Sequence, residues 1–145
     1  MNKKLGSIKS FRYSKKDFLL TRSEHEFYDV LIQAVGHEYY IFPQIHLSQL
    51  VEHKIKGQNW KQAFYHVNAK SVDFVLCDKS YISPKLVIEL DEKSHNESDR
   101  QERDRIVEDI LKQINLPLLR IWNHGTFNSL EIAQQINAKL SSPIK

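Results

Sequence analysis

Asp73, Glu89 and Asp91 are the residues whose types and spacing first suggest chemistry. They sit in two runs dense in Val, Ile, Leu and Phe, Ser71 to Cys77 and Lys85 to Asp91, with turn-prone Asp78 to Pro84 between them. Such runs form an antiparallel hairpin. With the turn centred on Tyr81, Asp73 falls opposite Glu89, and alternation of side chains puts Asp91 on the same face, with Val75, Cys77 and Val87. Directly opposed residues have Cβ atoms about 4.5–5.5 Å apart, and two ionised carboxylates at about 5 Å repel by roughly 3 kcal/mol at an effective dielectric near 20. A proton, a neighbouring Lys or Arg, or a bound cation must offset that repulsion. Oxygen-only ligands at the end of a buried strand suit a hard cation, Mg²⁺ (or Mn²⁺). This reading is preferred to a structural ion network through Lys70, Lys85 and Lys93. It depends on register, because a slip of one residue moves Asp73 to the face away from Glu89.

Other polar residues converge on the same end of the hairpin. Lys93, Ser94 and His95 follow directly, and His95 has the chemistry to give or take a proton near neutral pH. The buried stripe of the next helix, traced backward, passes through Arg103 and Arg100, whose planar forks suit phosphate. Glu24, on the first helix, is placed to complete a metal shell from the side, or simply to cap its helix. Arg120, Trp122 and His124 either line the cleft or cover the edge of the core, and the second reading is preferred. The single cysteine, Cys77, lies inside an apolar run and reads as core; with no paired Cys/His spacing, zinc is not expected.

The elements that must position these groups follow from periodicity. Thr21 and Glu24 have capping-box spacing ahead of Phe27, Leu31 and Val35, predicting a helix from about 22 to 35 that Gly36 ends. Glu38 to Leu47 reads as a strand that Pro43 confines to an edge or bulge. Ser48 to Ile55 reads as a short helix, and Trp60, Phe64 and Val67 mark another. Asp99 to Ile114 is amphipathic through Val107, Ile110, Leu111 and Ile114, with Asn115 as its cap. Leu118 to Trp122 is a strand, and Leu130, Ile132, Ala133, Ile136 and Leu140 form a last helix capped by Asn128 or Ser129.

The chain has 145 residues, 41% hydrophobic and 27% charged, which bounds the reading to one globular domain. No apolar run approaches the roughly 20 residues of a membrane span, and no secretory signal is seen, so the expected location is the cytoplasm. Net charge is +3, most of the basic excess lying at the N-terminus. Residues 1–17 read as a basic arm, in which Lys15 and Lys16, among Phe11 and Tyr13, are candidates for phosphate contact or else a solvated terminus. Residues 18–145 form the domain.

Several of these segments together resemble a known family. Lys70-Ser-Val-Asp-Phe-Val-Leu, Leu86-Val-Ile-Glu-Leu-Asp with Ser94-His95, the Arg/Asp-rich Arg100 to Arg105, and Leu116-Pro-Leu-Leu-Arg-Ile are similar to a prokaryotic domain family of unknown function in the PD-(D/E)XK nuclease superfamily, near the very-short-patch repair endonucleases. Thr21-x-x-Glu24-x-x-Phe27 and Phe42-Pro-Gln44 fit its N-terminal part, and the likeness covers about residues 18–123. It implies an α/β fold: a restriction-endonuclease-like core in the order α-β-β-β-α-β, here with an added C-terminal helix, its central mixed sheet flanked by helices. It also implies a metal-dependent nuclease acting on DNA, with Asp73 and Glu89 as the superfamily's acids and Asp91 and His95 in the catalytic set. Arg100, Arg103 and Lys93 would contact nucleic acid. Asp91 stands where the superfamily has its lysine, two after the second acid; His95, or Lys93 or Lys85, would take over that role. The alternatives are a nucleic-acid-binding module of the same fold without turnover, or a protein-interaction domain.

Overall fold

The structure is a computed structural model that describes residues 10–92 and 98–142. Helix α1 (Arg22–Val35) begins where the sequence says it should: Thr21 Oγ1 accepts from Glu24 N at 3.2 Å, and Glu24 Oε1 accepts from Thr21 N at 2.9 Å. Its buried stripe is Phe27, Leu31 and Val35. Gly36 ends it by close approach rather than by a left-handed turn, since its φ is −64° and a Cβ there would lie 2.5 Å from the Ile32 carbonyl oxygen. Replacing Thr21 by Ala removes one side of the capping box and is expected to cost about 1 kcal/mol, read as a lower urea midpoint with unchanged slope.

Strand β1 (Tyr39–His46) lies at the sheet edge, as Pro43 requires. The helix expected over Ser48 to Ile55 is not formed. A single 3-10 turn, Leu47–Gln49, is followed by irregular chain to α2 (Trp60–Val67), which Asn59 caps. Leu47 of that turn is buried, and Leu50 and Val51 after it pack on the same core cluster without extending the helix.

Strands β2 (Ser71–Asp78) and β3 (Pro84–Asp91) form the hairpin in the expected register, with Phe74 opposite Ile88, Val75 opposite Val87 and Leu76 opposite Leu86. The turn is held by the Asp78 carboxylate, which accepts from Tyr81 N at 2.9 Å and Ser83 N at 3.2 Å. Helix α3 (Ser98–Gln113) then carries the chain to β4 (Leu118–Trp122), parallel to β3, giving a four-stranded mixed sheet in the order β1-β2-β3-β4. Asn115 closes α3 with a left-handed φ of 55°, while Leu116 N donates to Leu111 O at 3.0 Å and Asn115 N to Lys112 O at 3.2 Å. That pair of bonds is a Schellman motif. Ile114 consequently lies past the helix and is partly exposed.

The two faces of the sheet bury different helices. Phe74, Leu76, Leu86 and Ile88 pack with α1 and with α4 (Ser129–Ser141), whose buried residues are Ile132 and Ile136. Val75, Cys77 and Val87 pack with Val107 and Leu111 of α3. Simple alternation would place Val72 with Phe74, yet it joins the second cluster with Leu47 and Val67. Leu130, expected on the apolar stripe of α4, is exposed, because two residues of helical turn separate it from the Ile132 face. Cys77 is core as expected, its thiol pKa raised by burial and then by Asp78. Among the described residues no helix is long and apolar enough to cross a membrane.

Candidate functional site

The hairpin ladder stops at Phe74 and Ile88, and the next residues outward are Asp73 and Glu89. Their side chains continue the pairing that the backbones abandon. Asp73 Oδ2 accepts from Leu90 N at 2.8 Å, and Glu89 Oε2 accepts from Asp73 N at 3.3 Å. Each carboxylate is therefore aimed by the opposite strand. Glu89 is the one buried charged residue among those described, only 5% exposed. Burial above all, then the neighbouring Asp73 carboxylate, pushes its carboxyl up from 4.5 to about 8. Arg103 pulls the other way.

Among the described residues Glu89 Oε1 is buried without a hydrogen-bond partner, and the closest cation is Arg103 Nη1 at 3.7 Å. A buried acceptor left without a partner is costly unless something else fills the position. Asp73 and Glu89 together offer hard oxygen donors, and one of those oxygens is unclaimed. This fits Mg²⁺, which takes one or two protein carboxylates and fills the rest of its shell with water or substrate oxygens.

The pair opens into a cleft of about 660 Å³. Helix α1 supplies Glu24, and its cap Thr21, to the rim; α3 supplies Arg100 and Arg103, and β4 supplies Arg120 and Trp122. Phe27, one turn beyond Glu24, meets Phe74 at 5.4 Å between ring centres, which fixes α1 against the strand that carries Asp73. Asp91 also lines the cleft, on the Glu89 side as expected.

The structure revises several expected roles. Glu24 is not gathered with Asp73 and Glu89: among the described residues no three His, Cys, Asp or Glu side chains form a metal-holding group. Its Oε1 is held by Thr21 N and its Oε2 by Gln44 Nε2. Arg103 does not extend freely toward a ligand. Its guanidinium donates to Ser71 O and to Asp104 Oδ1, and lies beside Glu89, so it secures the acids. Asp91 is engaged by Arg120 Nη1 at 3.2 Å. Lys85 faces Asp78 at 3.6 Å, toward the turn and away from the acids, and Lys70 Nζ donates to His66 O. Among the described residues the cations paired with the cleft acids are arginines. Lys15 and Lys16 are exposed in irregular chain ahead of α1 and do not line the cleft. Lys93, Ser94 and His95 lie outside the described residues.

Two site residues go beyond the preferred sequence reading. Arg120 takes the less favoured of its two expected places, in the cleft rather than over the core edge: it sits beside Glu89 in the β3–β4 ladder and bridges Asp91 to Glu108, whose Oε1 lies 2.8 Å from Nη2. Burial disfavours its charge, but the Glu108 hydrogen bond and the charges of Asp91, Asp104 and Glu108 leave its pKa raised. Gln44 has φ 52° and falls between Pro43, opposite Phe74, and Ile45, opposite Val72. That places it across from Asp73, and a non-glycine residue held in this conformation next to a site is strain of the kind found at functional positions.

Residues 16–140 match the family described as "Protein of unknown function (DUF2726)". No curated protein and no solved structure matches the chain. The family match spans α1 through nearly all of α4, including every residue of the cleft described above, and the chain belongs to the DUF2726 family.

Proposed function

We propose that the protein is a Mg²⁺- or Mn²⁺-dependent nuclease acting on DNA, built on the restriction-endonuclease-like core of the PD-(D/E)XK superfamily. The observation that carries this reading is the buried Glu89, one of its oxygens unclaimed, beside the part-buried Asp73 in a cleft that Arg100, Arg103 and Arg120 line together with several further acids. The order α1-β1-β2-β3-α3-β4, with α2 inserted after β1 and α4 appended, supports the proposed core.

Asp73 and Glu89 would hold the ion, which supplies a Lewis acid for the phosphodiester. Glu89 must lose its proton to bind a cation, and Arg103, close to Oε1, favours that charged form. Arg100, exposed on the cleft wall, is the proposed phosphate contact. Asp91, tied to Arg120, positions that guanidinium at the rim and is removed from the role of proton acceptor. The proton-transfer role falls to His95, with Lys93 as a second phosphate contact.

The test is relaxation of supercoiled plasmid in Mn²⁺ or Mg²⁺ against the same reaction in EDTA. Nicking that needs the ion is expected. The second reading, a binding module without turnover, draws on Asp91 standing in the lysine position. It requires plasmid to stay supercoiled while gel retardation persists and weakens steeply with salt.

A further inference from the structure

The connection between β1 and β2 contributes nothing to the cleft before Ser71, yet it has a composition of its own. Between Glu52 and Asp73 the chain carries Lys54, Lys56, Lys61 and Lys70 and no acid. The same stretch holds a ring cluster. His53 lies 5.2 Å from Phe64 and 6.1 Å from Trp60, and Phe64 lies 6.3 Å from Tyr65, between ring centres. Val67 anchors this cluster to the core. Trp60 is 45% and Tyr65 72% exposed, although an aromatic of this size normally buries its rings. Asn59 caps α2 and so fixes Trp60 at the first helical position. The ammonium groups of Lys54 and Lys61 stand 5.1 and 5.8 Å from the Trp60 ring.

A surface of one sign with flat rings exposed between ammonium groups is complementary to a polyanion that itself carries planar rings. A phosphorylated peptide matches the charge without the rings. A membrane surface asks for a longer apolar face than the two turns of α2 provide. Duplex DNA presents phosphates but keeps its bases stacked away from Trp60. We propose that α2 and the loop before it form a contact for single-stranded nucleic acid. An unpaired base stacks on Trp60, and the adjoining phosphates rest on Lys54 and Lys61. The site is separate from the carboxylate cleft and does not depend on its chemistry. It does lie within reach of it: α2 and the short link to β2 put Trp60 at most about 30 Å from Asp73 along the chain.

The test is fluorescence anisotropy with a labelled oligothymidylate in EDTA, where no metal-dependent step can contribute. Failure here would leave the plasmid result untouched, and the reverse. Trp60→Ala is expected to weaken binding by about ten-fold or more. The double variant Lys54→Gln/Lys61→Gln is expected to reduce the slope of log affinity against log salt by about 1.4, at roughly 0.7 per phosphate released. Both lysines are exposed, so this variant keeps the test valid even where Trp60→Ala disturbs α2. Unchanged binding in the double variant would overturn the proposal. So would phosphatidylserine vesicles, a phosphopeptide or a duplex of equal length binding through Lys54 and Lys61 more tightly than the oligothymidylate.

Discussion

Asp73→Asn is expected to abolish metal-dependent nicking, lowering the rate by about a thousand-fold or more. In the proposed nuclease Asp73 is one of two anionic ligands, so its loss would release the ion, and an ion of this kind supplies several kcal/mol of charge stabilisation at the phosphate. The choice of Asn matters. Asp73 Oδ2 accepts the Leu90 N–H at 2.8 Å, and an amide oxygen preserves that bond while discarding the charge. Asp73→Ala would instead orphan a part-buried donor at about 1–3 kcal/mol, mixing a folding defect with a chemical one. The measurement is initial nicking rate in Mn²⁺, with the melting temperature of each protein as control. Equal rates in wild type and Asp73→Asn would place the activity elsewhere and remove the basis for the nuclease proposal.

Stability in EDTA is expected to fall as pH rises from about 5 to 8, the opposite of the common acidic-residue pattern. Glu89 keeps its proton up to about 8 in the folded chain, against 4.5 as its ordinary value. The stability it contributes is therefore complete below about 4.5 and is lost as pH climbs through about 8, since the folded state binds the extra proton between those limits. Each tenfold gain in proton affinity on folding corresponds to about 1.4 kcal/mol, a sizeable step against a domain's marginal stability. Glu89→Gln keeps the shape and removes the titration. Its melting temperature should be nearly flat over the same range and should exceed that of wild type above pH 8. Under the proposed metal role of Glu89, divalent metal is expected to reverse the trend: binding would expel the proton, so affinity should rise about ten-fold per pH unit until near 8 and then level off. Parallel melting profiles for wild type and Glu89→Gln would contradict the burial-driven rise in the Glu89 pKa.

Much of this is legible in the residues because it is local. The capping box at Thr21 and Glu24, the hairpin register and the cap at Asn115 all depend on neighbours within a few positions or on strict two-residue alternation. The juxtaposition of Asp73 and Glu89 follows from that register. Arg120 is not legible in the same way, because its role depends on which strand lies beside β3. That neighbour arrives through α3, and no local pattern specifies that the parallel partner of Glu89 will be an arginine. Helical spacing places Arg103 and Arg100 on the cleft side, but spacing is silent on what a guanidinium will bind, and Ser71, Asp104 and Glu89 absorb Arg103. The helix expected after β1 does not form, and its apolar residues Leu50 and Val51 pack on the second core cluster from a turn and irregular chain instead.

The edge strand β1 bears on assembly as well as on the site. Pro43 lacks the N–H that an incoming strand would need, and the left-handed residue Gln44 beside it bends the backbone out of plane. At the opposite border, β4 offers only five residues. Neither border is a good template for a foreign strand, so fibrillar stacking and sheet-extending dimers are both discouraged. Any self-association of this protein should run through helices or loops rather than through a continuous intermolecular sheet.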